Sequence, residues 1–216
     1  MWRKAMIERG FGHRGQVVSD LVLVNGVVDA FIPKTHQVHG ALVKHVTAEM
    51  GDLVMEADAF VATDPKVVCS VMTADCVPLL MWDTQARIVA AVHAGWRGVA
   101  ANIATATVDF IRDMVPNADL RVAMGPAMGS SCYEVGDEVV SACAKTISDI
   151  SPFIKATSQG HQLIDLKGIL FEQLGHVGVM PNCIESDLTC THCNTTYASY
   201  RRGDRRERQH SWIVIS

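Results

Sequence analysis

Apolar residues run along the chain in short, dense blocks, each bounded by glycine, proline or polar residues. Six blocks read as strands: residues 20–25 (DLVLVN), 40–46 (GALVKHV), 66–75 (KVVCSVMTAD), 86–93 (ARIVAAVH), 119–125 (DLRVAMG) and 211–216 (SWIVIS). β-Branched side chains crowd them, and an extended backbone accommodates that stiffness well. Three stretches read as helices. Residues 98–115 place Ile103, Val108, Ile111 and Val115 among many alanines, with Pro116 as a stop. Residues 137–150 end at a Ser-Pro pair, and residues 165–174 have Asp165 placed as N-cap and Gly175 as C-cap. Strands and helices mix without a regular alternation, which predicts an α+β fold of mixed β-sheets covered by helices. No internal repeat or linker-like tract interrupts the pattern, so a single domain over residues 1–216 is expected.

Composition narrows the function classes. The 216 residues are 49% hydrophobic and 19% charged, with a net charge of −4, which speaks against general polyanion binding. The five arginines between Arg201 and Arg208 are interleaved with Asp204 and Glu207. They read as a solvated, salt-bridged turn, and no nucleic-acid partner is expected. No apolar run of about 18 residues suggests a membrane span, and the opening MWRKAMIERG lacks the apolar centre of a signal peptide. A cytoplasmic location is the expectation. Seven cysteines then suggest thiols or metal ligands rather than a disulfide framework.

Candidate chemistry concentrates where buried strands open into loops, the place where a rigid scaffold can hold a reactive side chain. In AVHAGWRG, His93 ends an apolar run beside Gly95 and Gly98. In TADC, Asp75 and Cys76 interrupt another before Pro78, and KTHQVHG brings His36 and His39. His39, Cys76 and His93 make a set of two imidazoles and one thiolate, which suits zinc and leaves a fourth tetrahedral position for water or substrate. A closed site would need a fourth ligand such as Cys69 or His36. Asp75 is a candidate to orient a histidine or carry a proton, or else to cap its turn. Arg97 reads as support for the site or as a plain salt bridge. CTHC (residues 190–193) lacks the second cysteine pair of a zinc ribbon. GPAMGSSCYEVG has turn glycines but no P-loop lysine. None of the nine histidines forms a His-x-His pair, which argues against multicopper oxidase chemistry.

Five motifs taken together, QVHG, TADCVPLL, VHAGWRG, GPAMGSSCYEVG and CTHCNTTYASYRR, closely resemble the YfiH/YlmD family. That family was first described as laccase-domain polyphenol oxidases and since as purine nucleoside phosphorylases. The resemblance spans roughly residues 10–216. It implies a single YfiH-like domain and a catalytic zinc on His39, Cys76 and His93, with copper a less favoured metal. It further implies phosphorolysis of adenosine, inosine and methylthioadenosine, adenosine deamination, and purine nucleoside and phosphate as partners. Arg14 aligns with an arginine of the family's amino-terminal motif and is expected to touch phosphate or substrate. Tyr133, Glu134 and Arg201 are expected near the substrate, with Cys76 and Asp75 as catalytic residues. The segment from Arg14 to His39 is shorter than the family pattern, which keeps a metal-holding scaffold with little turnover as an alternative. A hydrolase acting on amino acids of peptidoglycan precursors is another.

Overall fold

The strand Val89–Ala94 is buried at every position because it lies in the middle layer of the molecule. The computed structural model describes residues 6–157 and 160–216, so the first half of the opening segment read for a leader lies outside the described residues. Val89–Ala94 belongs to a six-stranded sheet ordered Ile184–Ser186, Leu120–Met124, Val77–Asp83, Val89–Ala94, Ala59–Ala62, Val43–His45. The outermost pairings are parallel and the inner ones antiparallel, a mixed sheet as expected.

Side-chain alternation divides each central strand between two layers. Leu79, Met81, Ala90 and Val92 pack with helical residues such as Ile103, Val108, Ile111 and Ile169. Leu80, Val89 and Ala91 face the other way, onto Cys69, Val71, Ile213 and Ile215. Those four belong to an antiparallel sheet in which Gln209–Ile215 lies between Ile7–Phe11 and Cys69–Thr73. Trp212 and Val214, on the reverse face of the same strand, pack with Val22 and Val27. Burial on both faces explains why these blocks are continuously apolar. Among the described residues no helix is long and apolar enough to cross a membrane.

Five of the six expected strands form at their blocks, with Val89–Ala94 and Gln209–Ile215 running one or two residues past the block ends; DLVLVN does not. It forms the helix Val18–Val24, because Val18, Leu21 and Val22 share one helical face that packs onto the cluster holding Trp212. An extended chain would have split Leu21 from Val22, so tertiary packing overrides the β-branched propensity. The expected helix 98–115 is two helices, Trp96–Ala100 and Ile103–Met114, parted by Asn102 at φ 59° in the left-handed region. Residues 137–150 are helical only over Asp137–Cys143 before a 3-10 turn. There the Thr146 hydroxyl donates to the Cys143 carbonyl at 2.7 Å and competes with the helical ladder. Asp165 caps Leu166–His176 by accepting from the Gly168 amide at 3.1 Å. Gly175 lies inside that helix, and the left-handed exit belongs to Gly178 at φ 76°.

Candidate active site

Three segments converge at one end of the central sheet. Pro78 pairs with His93 and Val77 with Ala94 across adjacent strands, so Cys76, one residue before its strand, arrives beside the histidine. His39 comes from the loop between Lys34–His36 and Val43–His45. The ligand atoms of His39, Cys76 and His93 all lie within 4.8 Å of one another. The two imidazoles meet edge to face, 4.7 Å between centroids. Among the described residues no fourth protein ligand joins them: Cys69 is buried elsewhere, near the Val89 carbonyl, and His36 pairs with Glu56 at 3.2 Å.

A buried carboxylate that the sequence reading passed over sets this geometry. Asp58 lies just before Ala59–Ala62 and is wholly buried. One of its oxygens accepts from His93 Nδ1 at 2.8 Å and from the His39 amide at 3.0 Å, and the other from the Gly40 amide at 2.6 Å. A carboxylate only accepts, so His93 carries its proton on Nδ1 and presents Nε2 toward Cys76. The same bonds hold His39 at φ 60°, a left-handed conformation that a non-glycine residue adopts at a cost. Gln37 fixes the loop from its other side: its amide donates to the Met72 carbonyl at 2.8 Å and accepts from the Met72 amide at 2.7 Å.

Two glycines leave room for this arrangement. A Cβ at Gly95 would lie 3.0 Å from Cys76 Sγ, 3.5 Å from the His39 ring and 3.8 Å from His93 Nε2, in the space the three donors surround. A Cβ at Gly98 would meet the Gly40 carbonyl at 2.9 Å, backbone that has nowhere to go. The thiolate-and-imidazole donor set and the cradle left by Gly95 both fit zinc. The electrostatics agree. Burial pushes the Cys76 thiol up, but hydrogen bonds from His39 and His93 outweigh it and bring it down to about 7. Burial lowers His93, yet Asp58 and Cys76 together raise it to about 9. Burial likewise acts upward on Asp58, and His93 with the two amides holds it below the usual carboxylate range.

The three side chains line a cavity of about 520 Å³, together with Asp75, Trp96, Met128, Tyr133, Tyr200, Arg201 and Arg208. Tyr133 and Arg201 stand together there, the guanidinium 5.6 Å from the ring centroid and donating to the Glu134 carbonyl at 3.1 Å. Burial pushes the Tyr133 phenol up, so it stays protonated. Glu134 is not among the lining residues; its carboxylate accepts from Thr157. Asp75, at φ 88°, binds neither histidine. Its oxygens accept from Thr191 Oγ1 at 2.7 Å, Ser199 Oγ at 3.1 Å and the Arg201 amide at 2.9 Å. Arg97 is exposed and stacks on Trp96 at 4.3 Å. Arg14 is not brought to the cavity wall: Glu207 holds it at 2.7 Å and Asp204 at 3.4 Å. Arg208, which sequence reasoning had grouped with the solvated turn, lines the cavity instead.

Known proteins share this architecture. The crystal structure of Bacillus licheniformis YfiH superposes with a TM-score of 0.85 at 26% identity, covering 97% of this chain and 93% of that one. YlmD from Geobacillus stearothermophilus gives 0.84 at 28%, covering 98% and 91%. The family model described as multi-copper polyphenol oxidoreductase laccase matches residues 21–216. The chain belongs to this family. It is 38% identical over 181 residues to a purine nucleoside phosphorylase of Pseudomonas aeruginosa, covering 83% of this chain and 72% of that one. It is 40% identical over 150 residues to an adenosine deaminase from an unknown prokaryotic organism, covering 67% and 56%. The phosphorylase YfiH of Escherichia coli matches at 37% over 181 residues, 83% of this chain and 72% of that one.

Proposed function

We propose that this chain is a zinc-dependent enzyme acting on purine nucleosides, catalysing phosphorolysis of adenosine, inosine and methylthioadenosine and, secondarily, deamination of adenosine. The names of its relatives support both reactions. One observation carries the reading: His39, Cys76 and His93 surround the space left by Gly95 and line a cavity of about 520 Å³, room for a nucleoside. Zinc bound there supplies Lewis acidity, with copper the second candidate metal.

The remaining work belongs to the chain's own side chains. Asp58 keeps the His93 proton on Nδ1 and so reserves Nε2 as a donor. Trp96 and Tyr133 offer flat faces for a purine. Arg201 and Arg208 offer the cavity's cationic forks for phosphate, a geometry matched to its oxygens. The phosphate contact expected of Arg14 passes to Arg208 in this reading, because Asp204 and Glu207 occupy Arg14. Asp75 acts as a positioning residue that fixes the Arg201 backbone and the turn before Cys76.

A metal-holding scaffold without turnover is the competing reading, favoured by the pairing of Arg14 with acidic neighbours. Release of free base from adenosine or inosine in phosphate, followed chromatographically, separates the two. Cys76→Ala is expected to lose turnover together with the metal held by His39 and His93. Full metal content and unchanged activity in that variant would refute Cys76 as a ligand.

A further inference from the structure

The CTHC motif looked incomplete in sequence because it has no second cysteine pair. The fold supplies its missing partner from another turn. Cys132, Cys190 and Cys193 bring their sulfurs within 4.8 Å of one another, with Cys132 and Cys193 3.4 Å apart. Cys190 bridges to Ala127, where the Thr191 amide donates to the Ala127 carbonyl at 3.0 Å. On the facing turn, the Cys132 amide donates to the Gly129 carbonyl at 2.9 Å, which aims its thiol at the motif. Gly129 permits the approach: its amide donates to Cys190 Sγ at 3.2 Å, and a Cβ there would sit 3.2 Å from Cys190 Cβ.

We propose that Cys132, Cys190 and Cys193 form a second metal site, which takes a thiophilic d10 cation such as zinc(II) and fastens together the two turns that frame the cavity wall. The chemistry favours a cation. Three sulfurs this close cannot all ionise without one, and thiolates at C-x-x-C spacing plus a third cysteine are a zinc donor set. The free thiols show the conflict. Cys193, burial and Cys190 together push the Cys132 thiol up to about 12. Burial acts upward on Cys190 too, but the amides of Gly129, Cys193 and His192 outweigh it and hold that thiol below its ordinary value. Binding one divalent cation releases the three thiol protons to solvent. Cys193 is exposed, which leaves the fourth position open to water.

The clasp reaches the site through neighbours on both turns. Tyr133 follows Cys132 and lines the cavity, and Thr191 follows Cys190 and donates to Asp75.

The test uses reduced, metal-stripped protein titrated with cadmium under nitrogen, read by thiolate-to-metal absorption in the ultraviolet. Wild type is expected to take two equivalents. Cys76→Ala is expected to keep one, with the intense band of several thiolates. Adding Cys193→Ser or Cys132→Ser to that background is expected to remove it, while far-ultraviolet circular dichroism stays native. Because the Cys76→Ala background isolates the thiol cluster, the outcome does not depend on the nucleoside reading. No retained equivalent in Cys76→Ala overturns the proposal, as does a band that survives both serine variants. A Cys132–Cys193 disulfide in place of metal, in protein purified anaerobically with reductant, overturns it as well.

Discussion

Asp58 has two oxygens and serves three donors, the His93 ring and two successive amides. Asp58→Asn keeps one acceptor and introduces a donor where another is needed. Metal affinity is expected to fall roughly 10–100-fold, the usual effect of removing a partner behind a ligand, measured by chelator competition. Undiminished affinity would show that His93 is oriented by something else. The strand-end argument found His39, Cys76 and His93 because each sits at a visible break in an apolar block. Asp58 escaped it because one acid in EADAFVA has no partner at local spacing, its histidine lying 35 residues away. Arg208 escaped for a different reason. The turn reading was physically sound for Arg202, which does pair with Asp204, and nothing in the spacing marked one arginine of the cluster as facing inward.

At the scale of elements, the hairpin joining the two central strands depends on Asp83. This carboxylate is fully buried and accepts from Arg87 Nε at 2.7 Å, Arg87 Nη2 at 2.9 Å and the Asp119 amide at 2.9 Å. The Arg87 guanidinium, against the opposing effect of burial, holds it below its ordinary value of 3.8. Its folded pKa is thus depressed, so the contribution to stability is full above the unfolded value and lost as pH falls through the folded one. The melting-temperature advantage of wild type over Asp83→Asn is expected to be constant near neutrality and to shrink below about pH 4. A gap that persists unchanged at lower pH would rule this out. Elements were legible where burial on both faces made an apolar run continuous, as in Val89–Ala94 and Gln209–Ile215. They were illegible where tertiary contacts decided. Val18–Val24 is helical because of what it packs against, and the break at Asn102 rests on one residue's φ, which no periodicity records.

Across the whole molecule, long-range pairing closes the outer layer. Gln209–Ile215 inserts between Ile7–Phe11 and Cys69–Thr73, so distant parts of the chain assemble on its last strand. Its Trp212 is 1% exposed, and a Cβ on Gly10 would meet its indole nitrogen at 2.9 Å. Trp212→Ala is expected to cost about 3–5 kcal/mol in denaturant unfolding, the range for truncating a buried aromatic. A loss below about 1 kcal/mol would mean the layer is held from elsewhere. The mixed α+β class was readable from the interspersed blocks, whereas the strand order was not, since strands as far apart in the chain as those holding Ile7 and Ile215 pair with each other.

Gly98 leaves no room for a Cβ beside the Gly40 carbonyl, and that closeness constrains how this scaffold can be retargeted. Any larger residue at position 98 pushes on the carbonyl next to His39 and drags the donor with it, so this position tolerates no redesign. Diversity can enter elsewhere on the lining, at Met128 and Tyr200. Libraries built there would explore new substrates while the reactive centre stays as it is.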